Sequence, residues 1–197
     1  IDSSEMNPRH WKELANVIVN HYIDYDGFVI LHGSDTMAFT ASAISFMLQG
    51  LKKPIIFTGS QLPIGTIRTD GKENLITAIE IAAAKENGKP IVQEVCIYFE
   101  YQLYRGNRTH KFNSEHFQAF QSANYPVLAE AGVNLKYNKA ALYRPKPSKL
   151  NVSLKLSRDI AVLTLFPGIS RAAVDAILNI KNLKALILGT YGSGNAS

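Results

Sequence analysis

One stretch decides how this chain folds: residues 27–37 read Gly27-Phe28-Val29-Ile30-Leu31-His32-Gly33-Ser34-Asp35-Thr36-Met37. The apolar run 28–31 predicts a strand, and a helical pattern follows from residue 37 to residue 48. Open α/β sheets bind ligands at the carboxyl ends of their strands, which is where this turn lies. The turn therefore offers a hydroxyl, a carboxylate and a helix cap at a candidate binding site.

Helices and strands alternate on both sides of this turn. A helical pattern over 11–22 precedes it, and strands at 54–58 and 92–99 enclose a helix at 70–86 that we expect Gly88 to end. Strand–helix–strand units in series predict a parallel sheet with right-handed crossovers. The predicted class is α/β, with a parallel-sheet N-terminal domain and the start of a smaller α/β C-terminal domain.

We expect two domains joined by a linker. The predicted N-terminal domain covers 1–143, and the linker, which contains Pro145 and Pro147, covers 144–157. Residues 158–197 hold a second β-α-β unit with strands at 160–166 and 185–188 around a helix at 170–179. One such unit cannot bury a core alone, so we expect this domain to be incomplete and the chain to be a segment of a longer protein.

Composition excludes several classes of function. The chain has 197 residues, of which 46% are hydrophobic and 19% charged, as in ordinary globular proteins. Its apolar runs are too short to span a membrane, and the basic residues behind its net charge of +5 are scattered, so neither a membrane nor a nucleic acid is expected as a partner. The lone Cys96 rules out a disulfide framework, and the dispersed histidines predict no metal site.

The residues alone leave two interpretations of Ser34, Asp35 and Thr36. A serine hydroxyl becomes a nucleophile or proton relay when a base takes its proton, and a lysine of lowered pKa with a neighbouring carboxylate can serve. All three residue types are also preferred helix N-caps. The cap is the interpretation that the residues alone favour.

Further motifs point to a family. They are residues 54–63 (Pro-Ile-Ile-Phe-Thr-Gly-Ser-Gln-Leu-Pro), Arg68-Thr69-Asp70-Gly71, Asn74-Leu75, residues 103–109 (Leu-Tyr-Arg-Gly-Asn-Arg-Thr) and residues 191–196 (Tyr-Gly-Ser-Gly-Asn-Ala). Together with residues 27–37 they resemble the asparaginase/glutaminase superfamily, most closely the bacterial type I (cytoplasmic) L-asparaginases. Ser34 is the one departure from the family signature of residues 27–37, because the family has Thr there.

The resemblance implies roles for particular residues. Ser34, Asp35 and Lys111 match the second catalytic triad of the family. Asp2, Ser3 and Ser4, together with Ser34 and Asp35, match its substrate-binding residues. Thr190 and Tyr191 lie in a possible effector-site segment, where Gly189-Thr190 replaces an Arg of asparagine-responsive members.

Each of these residues also has a simpler interpretation. Lys111 would be a solvated surface charge, and Ser3 and Ser4 would be helix-entry residues. Asp70 would cap its helix. His32 would be structural, and residues 58–60 would lie beneath the site.

The resemblance implies hydrolysis of L-asparagine to L-aspartate and ammonia, without a cofactor. The family's nucleophilic Thr lies in a Thr-Gly-Gly-Thr-Ile-Gly turn that this sequence does not contain, so we expect the segment alone to be inactive. The implied partners are the small-molecule substrate and identical subunits in a homodimer or homotetramer, in the cytoplasm. A dual asparaginase/glutaminase, the glutamyl-transfer-RNA amidase and a non-catalytic amino-acid-binding subunit are the alternatives.

Overall fold

The structure, a computed structural model, describes residues 2–146 and 149–196. It forms two compact units, Ile1–Leu154 and Lys155–Ser197. The boundary between them falls inside the predicted linker 144–157, whose Pro147 lies outside the described residues. Part of that linker is a short strand, Asn151–Val152, which pairs with Leu48–Gln49 of the first unit. The domain limits 1–143 and 158–197 stay a prediction.

The predicted helices and strands are present in their predicted order, with further short strands between them. The helices are α1 (Pro8–Asn20), α2 (Ser34–Met47), α3 (Gly71–Ala83) and α4 (Arg171–Leu178), with 3-10 turns at Ser3–Glu5 and Gly106–Arg108. The strands are β1 (Phe28–Leu31), β2 (Leu48–Gln49), β3 (Ile55–Thr58), β4 (Lys85–Glu86), β5 (Lys89–Pro90), β6 (Val95–Phe99), β7 (Gln102–Arg105), β8 (His110–Lys111), β9 (Phe120–Gln121), β10 (Ala129–Ala131), β11 (Leu135–Tyr137), β12 (Asn151–Val152), β13 (Ile160–Thr164) and β14 (Ala185–Gly189).

The main sheet of the first unit has six described strands in the order β1-β3-β6-β7-β10-β11. β3 is parallel to both β1 and β6, and Phe28 pairs with Ile55, which in turn pairs with Val95. The α/β class is confirmed. Beyond β6 the sheet continues through the antiparallel strands β7, β10 and β11, which were not predicted from the sequence.

The core lies on both faces of the parallel strands. Every residue of β3 and β6 is buried, as expected for central strands of a parallel sheet. On one face Ile56 and Cys96 pack with Ala78 and Ile81 of α3, so Cys96 is a buried strand thiol. Successive residues point to opposite faces of a strand, and helix α2 covers the other face. This packing sets the carboxyl ends of β1 and β3 beside the start of α2.

The end of α3 differs from the prediction. The helix ends at Ala83, and β4 and β5 form a hairpin around Asn87 and Gly88. Both turn residues have positive φ, 51° for Asn87 and 75° for Gly88. An Asn-Gly pair favours this left-handed two-residue turn. The expectation that Gly88 ends a helix over 70–86 was therefore wrong, because the same glycine signal also marks a hairpin.

The second unit holds the predicted β-α-β arrangement. β13 and β14 are parallel, with Ile160 opposite Ala185, and α4 connects them. The Ser170 side chain caps α4 by accepting a hydrogen bond from the backbone N–H of Ala173 at 3.2 Å. Thr190 and Tyr191 follow β14 directly, and the Tyr191 N–H donates to the Asn195 carbonyl across a turn. Across the described ranges, no helix is long and apolar enough to cross a membrane.

Candidate active site

The turn between β1 and α2 does not use its polar side chains as caps. Helix α2 starts at Ser34 with Gly33 in the N-cap position, and within the described residues no side chain caps it. Thr36 Oγ1 instead donates to the backbone carbonyl of Ser3 at 2.6 Å. The cap interpretation was therefore wrong, although the three residue types alone favour it. Their side chains are left to contact other segments of the chain.

Lys111 meets this turn from β8. Its Nζ donates to Ser34 Oγ at 2.9 Å and to Asp35 Oδ1 at 2.7 Å. The Lys111 side chain is 16% exposed, whereas that of Asp35 is 68% exposed. A solvated surface charge is thus the wrong interpretation of Lys111. The structure brings together the three residues that the family resemblance implies for a triad.

Gln61 gives Ser34 a second partner. The Ser34 hydroxyl donates to Gln61 Oε1 at 2.9 Å, so Ser34 Oγ lies between an ammonium group and an amide oxygen. Gln61 Nε2 donates to the carbonyls of Ser114 and His116, at 3.3 and 3.1 Å, and so holds the loop that follows β8. No role was predicted for Gln61 from the sequence. Its place just after β3, the neighbour of β1, was the available signal.

The Asp2-Ser3-Ser4 segment lies partly against the same turn. Ser3 is buried, and a Cβ added at Gly33 would lie 2.7 Å from both Cβ and Oγ of Ser3, so glycine permits this approach. Asp2 Oδ1 accepts hydrogen bonds from the backbone N–H and the hydroxyl of Ser4, both at 2.8 Å. These bonds lower the pKa of Asp2. Ser3 thus lies against Gly33 and Thr36, while Asp2 and Ser4 are exposed and bound to each other.

His32, Thr58 and Gly59 make structural contacts next to this turn. Burial lowers the pKa of His32, which favours the uncharged ring, and its Nδ1 lies 2.8 Å from the Gly33 carbonyl oxygen. A Cβ at Gly59 would lie 2.2 Å from the His32 carbonyl oxygen, so only glycine fits there. Thr58 Oγ1 donates to the Tyr98 carbonyl in the interior. These contacts agree with a structural role for His32.

The arrangement suits the handling of a proton at a hydroxyl. The backbone N–H groups in the first turn of α2 have no intrahelical acceptors, and with the helix dipole they favour negative charge at Gly33-Ser34.

Thr190 and Tyr191, the possible effector-site segment, belong to the second unit. Among residues 2–146 and 149–196, no three His, Cys, Asp or Glu side chains form a group able to hold a metal ion. The expectation that no cofactor is required stays a prediction.

The fold and the site together agree with the motifs noted in the sequence. Residues 1–143 match the family model described as "Asparaginase, N-terminal". This match covers more than half of the chain, and the chain therefore belongs to the asparaginase family. The resemblance inferred from the motifs is confirmed.

Similar proteins include bacterial asparaginases. L-asparaginase 1 of Escherichia coli (strain K12) is 47% identical over 196 residues, which are 100% of this chain and 56% of that protein. The crystal structure of L-asparaginase I from Vibrio cholerae matches with a TM-score of 0.90 and 42% identity, covering 100% of this chain and 58% of that one. The 60 kDa lysophospholipase of Mus musculus is 42% identical over 195 residues, 98% of this chain and 34% of that protein. The chain thus spans just over half the length of these two bacterial asparaginases.

Proposed function

We propose that the protein containing this chain hydrolyses the side-chain amide of L-asparagine to L-aspartate and ammonia. The observation that carries this proposal is the pair of contacts that Lys111 Nζ makes, at 2.9 Å to Ser34 Oγ and at 2.7 Å to Asp35 Oδ1. Family membership and the names of the E. coli and V. cholerae relatives support asparagine as the substrate. They do not favour dual specificity or a non-catalytic binding subunit.

The contacts suggest how the proton moves. With Lys111 charged, its ammonium group holds Ser34 Oγ and Asp35 Oδ1 together. After Lys111 has released a proton to water, its Nζ accepts the Ser34 proton when that hydroxyl turns from Gln61 Oε1 towards Lys111. Ser34 then takes a proton from the attacking group, which in the family is the Thr of the Thr-Gly-Gly-Thr-Ile-Gly turn or a water molecule. Asp35 keeps Lys111 oriented throughout.

The same residues provide places for the substrate. Asp35 is two-thirds exposed, so its carboxylate retains a free surface for the α-ammonium group of an amino acid. The segment Asp2-Ser3-Ser4 is proposed to bind the α-carboxylate and the amine of the substrate. Backbone N–H groups at Gly33-Ser34 would stabilise the oxyanion that forms from the amide carbonyl. Cytoplasmic location and assembly as a homodimer or homotetramer stay predictions.

The test is a comparison of asparagine with glutamine. We expect the natural protein that contains this chain to release ammonia from asparagine with a kcat/KM at least about tenfold above that for glutamine, since one methylene in a fitted pocket is worth about 10- to 200-fold. The measurement is a coupled ammonia assay with each amide. Equal or greater kcat/KM for glutamine would contradict the substrate assignment, and no turnover of either amide would contradict the proposed function.

A further inference from the structure

Asp70 has a different role from the helix cap that its position suggests. It precedes α3 with φ −80° and ψ −13°, and among the described residues its side chain makes no capping hydrogen bond to the helix. Both carboxylate oxygens instead accept from the backbone N–H of Gln61 at 3.0 Å, and Oδ1 also accepts from that of Leu62 at 3.2 Å. The carboxylate therefore binds the loop that follows β3.

Asn74, one turn further along α3, also binds this loop through hydrogen bonds. It is fully buried, and its Nδ2 donates to Asp70 Oδ2 at 3.1 Å and to the Gly59 carbonyl at 3.0 Å. Its Oδ1 accepts from the backbone N–H of Glu100 at the end of β6. The start of α3 thus binds backbone groups at the carboxyl ends of two neighbouring parallel strands.

The loop that Asp70 and Asn74 bind also contacts Ser34 directly. Gln61, whose N–H group is bound by Asp70, is the residue whose Oε1 accepts the Ser34 hydroxyl. In the described part of the chain Asp70 forms no ion pair with Lys, Arg or His. Its charge is therefore available to strengthen its bonds to the N–H groups, since hydrogen bonds to a charged acceptor are about twice as strong as neutral ones.

We propose that Asp70 is a positioning residue for Ser34, acting through Gln61. The carboxylate fixes the main chain of Gln61, and this in turn fixes the amide oxygen that orients the Ser34 hydroxyl. The inference rests on the proposed function, because it concerns the same reaction. It assigns Asp70 no contact with substrate.

A double-mutant cycle in the natural protein tests this. Asp70→Asn replaces one acceptor oxygen by an NH2 group, so at least one bond to the loop is lost. We expect kcat for asparagine to fall about tenfold with KM unchanged within about twofold. In a Gln61→Ala background the same substitution should change kcat by less than about twofold, because coupled residues are not additive.

Glu73→Gln is the matched control. Glu73 lies in the first turn of the same helix and accepts hydrogen bonds from the Tyr98 and Thr77 hydroxyls, away from Gln61. We expect its kcat to stay within about twofold of wild type. An equal loss in the Glu73→Gln variant, an additive effect of Asp70→Asn in the Gln61→Ala background, or a loss confined to KM would each overturn the proposal.

A second measurement separates this inference from the proposed function. If the wild-type protein releases no ammonia, the proposed function fails. Hydrogen exchange of the peptide covering 59–62 still tests whether the Asp70 carboxylate holds the loop that follows β3. We expect Asp70→Asn to speed exchange of the Gln61 and Leu62 amides about tenfold, because their acceptor is weakened. Unchanged exchange in that variant would overturn the role of Asp70 in holding the loop.

Discussion

Replacing Lys111 with Met is expected to lower kcat for asparagine about 10³-fold in the natural protein that contains this chain. The Met side chain has a similar length but can neither donate nor accept a proton, so Ser34 loses the amino group that lies 2.9 Å from its Oγ. Asp35 also loses the ammonium group that holds it at 2.7 Å. Steady-state ammonia release over a range of asparagine concentrations measures the effect on kcat and KM separately.

Lys85→Met is the control for removal of a lysine charge. Lys85 Nζ lies 2.9 Å from Asp26 Oδ2, in an ion pair whose lysine side chain is 41% exposed. Exposed pairs of this kind contribute about 0–1 kcal/mol to stability. We expect this variant to keep wild-type turnover. If Lys111→Met were as active as Lys85→Met, Lys111 would have no part in proton transfer.

The second large effect is expected on stability, from Arg105→Met. Arg105 on β7 forms a two-point ion pair with Glu94, at 2.5 Å from Nε and 3.2 Å from Nη2, and the two side chains are 17% and 8% exposed. Burial alone would lower the pKa of Arg105, but the bonds and charge of Glu94 outweigh it and the pKa is raised. Loss of Arg105 leaves a buried carboxylate without its cation. We expect the free energy of unfolding to fall by about 3–5 kcal/mol.

Arg9→Met provides the matched comparison. Arg9 pairs with Glu13 along α1 through side chains that are 83% and 57% exposed. Because such helix-surface pairs contribute about 0.3–0.5 kcal/mol, the free energy of unfolding of this variant should lie within about 1 kcal/mol of the wild-type value. Urea unfolding of both variants gives the comparison. Equal midpoints for Arg105→Met and Arg9→Met would show that the buried pair does not hold β7 to the start of β6.

The parallel half of the fold follows from local signals. The apolar runs at 28–31 and 54–58 and the helical spacing of α1 are properties of short segments, so they can be recognised without the rest of the chain. β10 and β11 have three residues each, too few for a pattern, and depend on pairing with β7. Asn87-Gly88 shows the limit of local reasoning, because a helix end and a hairpin favour the same residues.

The candidate site was predictable only in part for a similar reason. Ser34 and Asp35 follow the end of a predicted strand, where a ligand-binding site is expected. Lys111 lies 77 residues from Ser34, and no periodicity connects them, so only the family resemblance brought them together. Gln61 and Asp70 act through backbone and amide contacts that depend on how the ends of β1 and β3 approach each other. Residue type therefore could not distinguish Asp70 from an ordinary helix cap.

The most direct test of the triad is ammonia release from asparagine by Ser34→Ala and Ser34→Thr variants of the natural protein. Ala removes the hydroxyl that contacts Lys111 and Gln61, whereas Thr restores the residue of the family signature. We predict a kcat about 10³-fold below wild type for Ser34→Ala and within about tenfold of wild type for Ser34→Thr. A Ser34→Ala variant with near-wild-type kcat would contradict the assignment of Ser34, Asp35 and Lys111 as a catalytic unit.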